Sequence, residues 1–280
     1  MENSRSFKRD FSKKSYSELC GILFSKSFAN EVLGSDTDGF SEPAATKLLS
    51  TRMQAILNSL KEKKIKVDDV DKTVDDMVKL FKAEAFSNAA ANYSKEELLK
   101  YCVKTKAWND AVQYARKTGN AAVEHEADII NFLTSELTYC HKSILDSFEE
   151  WHRSIMTNSR EGVKEEWGMT PGLWQKLINM TFKYLYCVRE FFPEFDGIWK
   201  LCHCPIDSII LTRLYNVLKD ENMYNKELPE HILVKAYANR EHNANWNNLT
   251  IEDYDSLQGV IRTLGAKDGI TPLQFDFIYW

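Results

Sequence analysis

Residues 123–151, VEHEADIINFLTSELTYCHKSILDSFEEW, decide the fold class. Ala127, Ile130, Leu133, Leu137, Cys140, Ile144, Phe148 and Trp151 recur along them at steps of three or four. That period predicts one amphipathic helix of roughly eight turns, spanning about residues 120–155 and much longer than usual in a globular protein. So long an apolar stripe must be buried against other helices. The expected fold is therefore all-α, a multi-helix bundle around one long central helix.

The flanking sequence supplies the partners. Thr170-Pro171 reads as a helix start, with Thr as cap and Pro at the first position, where its missing N–H is not needed. The stripe that follows, from Trp174 through Leu177, Ile178, Phe182, Leu185 and Val188, is broad enough for a helix contacted on several sides. Pro205 is expected to open another helix, through Ile206, Ile210, Leu214 and Val217. Thr250 with Asp253 caps one that Gly265 would end, and Thr271-Pro272 repeats the Thr-Pro start. The aromatic run after it, Phe275 to Trp280, would also suit a strand. Upstream, Ser94 and Glu97 form a capping box, with Lys104 to Lys106 as a break, and Gly119 is placed to end the helix before the long one. Further stripes fall at residues 16–28, 44–60 and 70–86. The pattern divides into an N-terminal helical region, residues 1–93, and a main helical domain, residues 94–280. A single continuous domain fits it equally well.

Composition narrows the class. The 280 residues are enough to bury a core without staples, and seven Trp with fifteen Phe point to a core built on large rings. A formal charge of −5 gives no global attraction to nucleic acid or anionic lipid. No apolar window approaches eighteen residues and no hydrophobic run follows the basic start, so neither a membrane span nor a secretory signal is expected. Six cysteines, three of them (Cys102, Cys140, Cys187) at apolar helical positions, suit reduced core residues and a cytoplasmic setting.

Common catalytic fingerprints are absent: there is no G-x-G-x-x-G, no Walker loop, no G-x-S-x-G and no H-E-x-x-H. The densest unusual cluster is Cys202-His203-Cys204-Pro205-Ile206-Asp207. Three adjacent ligand types cannot close one zinc tetrahedron, so no metal is expected there. The local reading places Cys204 at an N-cap, Pro205 at N1 and Asp207 at N3, with His203 close enough to touch Asp207. An imidazole held by a carboxylate is half of a hydrolytic site, which makes His203 and Asp207 the candidate catalytic residues. Arg189 and Arg213, inside apolar helices, are candidate anion contacts. Arg240 and Trp246, on an Asn-rich loop, are candidates for stacking and charge contact with a ligand. Glu149 and His152 form a single E-x-x-H, the weak metal alternative, since a diiron bundle needs two. No cofactor is implied.

Two functions follow. The first is a helical binding or protein-interaction module with a protein partner, no membrane and no strong nucleic-acid signal. The second is a hydrolase or phosphate-processing enzyme with its site around His203 and Asp207. A polar pocket in which His203, Asp207 and an Arg converge would favour the second.

Overall fold

Capping sets where the helices begin. Ser94 Oγ accepts from the Glu97 N–H while the Glu97 carboxylate accepts from the Ser94 N–H, a complete capping box. It opens α1, Lys95–Lys100. The computed structural model describes residues 74, 75, 78, 79, 93–220, 229–241 and 244–279. The chain divides into two compact units, residues 1–80 and 81–280. Of the first unit, Val74 and Val78 are helical and buried, one turn apart as their spacing predicts. The expected helices over residues 16–28 and 44–60 lie outside the described residues.

The second unit is a multi-helix bundle, and among the described residues it has no strand. The expected break at Lys104 to Lys106 is instead a widening. Tyr101–Trp108 is π-helical and joins α1 to α2, Asn109–Thr118, without interruption. Gly119, at φ +68°, then turns the chain in the left-handed region that costs glycine least.

The long helix is corrected. A 3-10 turn at Ala121–Val123 precedes α3, Glu126–Tyr139, followed by α4, His141–Asp146, and α5, Phe148–Met156. Cys140 (φ −106°, ψ 12°) and Ser147 (φ −150°, ψ 67°) leave helical geometry. The bend is visible in one contact: Trp151 Nε1 donates to Glu136 Oε2 at 2.8 Å. Fifteen residues along a straight helix would set those side chains roughly 22 Å apart. The stripe is nevertheless buried at Ile130, Leu133, Leu137, Ile144, Phe148 and Trp151.

The centre of the bundle is α6, Pro171–Cys187, whose residues from Gly172 to Leu185 are all buried. Thr170 caps it, accepting from the Leu173 N–H at 3.2 Å and donating to the Asn247 carbonyl at 2.6 Å. Gly172 is required at that contact, because a Cβ there would lie 2.2 Å from the Trp246 carbonyl oxygen. Around α6 pack the π-helical segment, α2, α5 and the 246–248 turn.

The remaining helices are α7, Ser208–Asp220; α8, Pro229–Asn239; α9, Ile251–Asp268; and α10, Pro272–Tyr279. Pro205 does not open α7. Residues 202–207 are irregular, and Asp207 is the cap, accepting at 2.9 Å from the Ile209 and Ile210 N–H groups. Thr250 caps α9, but that helix passes Gly265 and ends at Gly269. Gly265 serves close packing instead, since a Cβ there would lie 2.6 Å from the Ile270 carbonyl oxygen. The residues after Thr271 are helical, not a strand, through Tyr279. No described helix is long and apolar enough to cross a membrane.

Candidate functional site

Two glutamines shape the segment that carries His203. Gln258 on α9 donates to the Cys204 carbonyl at 2.6 Å and accepts from the Cys204 N–H at 3.2 Å. Gln175 on α6 does the same for Ile206, at 2.8 and 3.0 Å. All four residues are buried, so the primary amides replace the sheet neighbours that an irregular buried segment otherwise lacks. The segment is thereby held non-helical, with His203 at its base.

A directed chain of hydrogen bonds runs from Gln175 to His203. Gln175 Oε1 must accept from Ile206, so Asn179 presents its Nδ2 there, at 3.3 Å, and sends its other amide hydrogen to Tyr254 Oη at 2.9 Å. Asn179 Oδ1 then faces His152 Nε2 at 3.0 Å, which makes that nitrogen the donor. Tyr254 Oη, already accepting, lies 2.7 Å from His203 Nδ1. His203 Nε2 faces Glu149 Oε1 at 2.8 Å, where an ionised carboxylate can only accept. Arg262 Nη2 reaches the same carboxylate oxygen at 2.9 Å and stands 2.7 Å from His203 Nε2.

Burial grades the site from floor to mouth. His152, Asn179, His203 and Tyr254 are buried, whereas the Glu149 and Arg262 side chains are 66% and 44% exposed. His152 lies under Tyr254, rings stacked at 5.7 Å, and 4.9 Å from the His203 ring. Burial pushes the His152 pKa down to about 3, so that imidazole is neutral. The hydrogen bond from His203 holds the Glu149 carboxyl below its usual range, against its partial burial. Burial pushes the Tyr254 phenol well above its usual value, which keeps its proton in place.

Asp207 is elsewhere. Its carboxylate caps α7 and meets Lys176 Nζ at 2.6 Å. Burial opposes the charge on both groups, but each holds the other ionised: Asp207 is shifted down and Lys176 up. Next along α6, Lys183 pairs with Asp276 of α10 at 2.5 Å, both side chains wholly buried. There burial wins over the attraction of Lys183 and raises the Asp276 pKa.

Of the residues singled out in the sequence, His203, Glu149 and His152 come together, and Asp207 does not join them. Arg189 stacks on the Tyr186 ring at 4.4 Å, Arg213 is half-buried on α7, Arg240 is exposed at φ +56°, and Trp246 is buried beside Gly172. None of these four is a described contact of His203. Among the described residues no three His, Cys, Asp or Glu side chains are arranged to hold a metal ion. Tyr254, Gln258 and Arg262 were not singled out. Their signal is a ladder at i, i+4 and i+8, which puts three polar side chains on one helix face. Set against protein-family models, curated proteins and solved structures, the chain matches none.

Proposed function

We propose that the protein is a phosphate-processing hydrolase whose site is Glu149, His203 and Arg262. One observation carries this reading: an imidazole nitrogen and a guanidinium N–H converge on a single oxygen, Glu149 Oε1. Two donors fixed on one point are the arrangement that grips an oxyanion, and here the occupant is a mostly exposed carboxylate that can swing away. A phosphoryl group taking its place is held by Arg262 and by His203 Nε2. Glu149, freed of the bond that depresses its pKa, regains basicity beside the bound phosphorus centre.

In hydrolysis of a phosphate ester, a water oxygen then attacks phosphorus while its proton passes to Glu149. The bond to the ester oxygen breaks, the departing oxygen takes a proton from solvent, and Glu149 returns its own. His203 serves as a hydrogen-bond donor and not as the base, because its Nε2 is aimed at the position the anion takes. The five described cysteines are free, which supports a reducing compartment such as the cytoplasm.

The test is hydrolysis of p-nitrophenyl phosphate together with titration of inorganic phosphate, followed at the His203 ring by NMR. Glu149→Gln is expected to bind phosphate more tightly yet turn over roughly a hundredfold or more slower, since the competing charge and the base leave together. Arg262→Ala is expected to lose both. Absence of turnover and of any phosphate-dependent His203 shift in the wild type would overturn the proposal. The chain would then be a helical interaction module with a protein partner.

A further inference from the structure

We infer a second ligand site, for a planar heteroaromatic ring that carries an anionic group, the chemistry of a mononucleotide. It is a cavity of about 410 Å³ between the C-terminal end of α6, the 196–200 turn and the junction of α9 with α10. That volume lies within the range of small-molecule sites. Its aromatic walls are Tyr186 and Trp199, ring centroids 5.4 Å apart and planes at 71°, a corner in which a flat ring can lie on one face and meet the edge of the other. The Trp199 indole N–H is enclosed and has no acceptor among the described residues.

Charge and polarity select the rest of the ligand. Arg189 and Lys200 outnumber the one carboxylate in the lining, Asp196. The guanidinium of Arg189 is stacked on Tyr186 and tied to the Tyr186 carbonyl at 3.1 Å, so its cation is held in place before a ligand arrives. Gln274 Oε1 is committed to the Thr271 N–H at 2.8 Å, which leaves the amide donors of Gln274 to a ligand acceptor. The wall at Gly269 is open, since a Cβ there would meet nothing within 4 Å. Aromatic surface, two cations and side-chain donors suit a ring joined to an anion better than either part alone.

The test separates this cavity from the Glu149–His203–Arg262 site by using Arg262→Ala as the background. In that background AMP, adenosine and inorganic phosphate are titrated by calorimetry, with the Trp199 indole resonance as the local readout. AMP is expected to bind more tightly than adenosine or phosphate and to shift the Trp199 signal. Adding Arg189→Ala, or separately the surface change Lys200→Ala, is expected to weaken AMP roughly tenfold or more and leave adenosine unchanged. The inference is overturned if AMP does not bind, if it binds no better than phosphate alone, or if neither cation matters in variants that retain the parent circular dichroism spectrum.

Discussion

Gln175 and Ile206 are joined at both edges: the side-chain amide donates to the Ile206 carbonyl at 2.8 Å and accepts from its N–H at 3.0 Å. That pairing fixes which way the Gln175 amide faces, and the hydrogen-bond directions at Asn179 and at His152 Nε2 follow from it. A buried helix that carries Gln175, Lys176, Asn179, Thr181 and Lys183 holds the site from beneath while the rest of it packs the core.

Gln175→Leu is expected to cost about 2–5 kcal/mol, because two buried backbone groups lose the side-chain amide that pairs with both. Gln175→Glu keeps the acceptor and loses the donor, and should fall between the leucine variant and the wild type. Urea unfolding gives the order. A leucine variant with the wild-type midpoint would mean that residues 202–207 are held in some other way.

The direction of the chain also fixes a spectroscopic outcome. Nitrogen-15 NMR of the histidine rings should find His152 neutral at pH 7 with its proton on Nε2, the nitrogen bonded to Asn179. A His152 proton on Nδ1 alone would leave Asn179 Oδ1 facing an unprotonated ring nitrogen. Finding it there contradicts the chain as described.

Lys183 and Asp276 should behave as a unit. Either Lys183→Met or Asp276→Leu alone is expected to destabilise by about 3–5 kcal/mol, since each strands an opposite charge in the core. The double variant should recover part of that loss, as neither charge is then left without the other and the Phe277 ring, 5.3 Å from Lys183 Nζ, offers apolar contact. A double-variant cycle by chemical denaturation measures the coupling. Additive losses would show that the two charges do not compensate each other.

Local chemistry was legible in the sequence, and long-range chemistry was not. The caps at Ser94, Thr170 and Thr250 were read correctly because donor and acceptor lie within three residues. The burial of Leu137, Ile144 and Trp151 was read correctly from period alone, whereas Ala127 is exposed. The break at Ser147 carries no Gly or Pro, so nothing nearby announces it; packing imposes it. His203 stood out by its neighbours, yet its partners are 51, 54 and 59 residues away. Asp207, only four residues on, belongs to Lys176. A helix start at Pro205 looked sound until Gln258 claimed the Cys204 backbone before it and Gln175 the Ile206 backbone after it.

His152 should make the fold sensitive to acid in a defined window. In the unfolded chain its imidazole takes up a proton near the ordinary value of 6.5, but in the fold burial defers this to about 3. Above 6.5 neither state binds that proton and the fold keeps its full stability. As the pH falls from 6.5 towards 3, the unfolded state gains a proton that the folded state cannot accept, so stability is lost progressively, by several kcal/mol across the whole window. Glu149 and Asp207, both held below their usual range, add losses of the same sign at lower pH, where ordinary carboxyls protonate. Asp276 is shifted the other way and offsets part of them. His152→Gln isolates the histidine, since its amide can still donate to Asn179 and does not titrate. Thermal melts at pH 7 and pH 5 should show a larger drop for the wild type than for the variant. Parallel drops in the two proteins would mean that the buried His152 is not what makes the fold acid-sensitive.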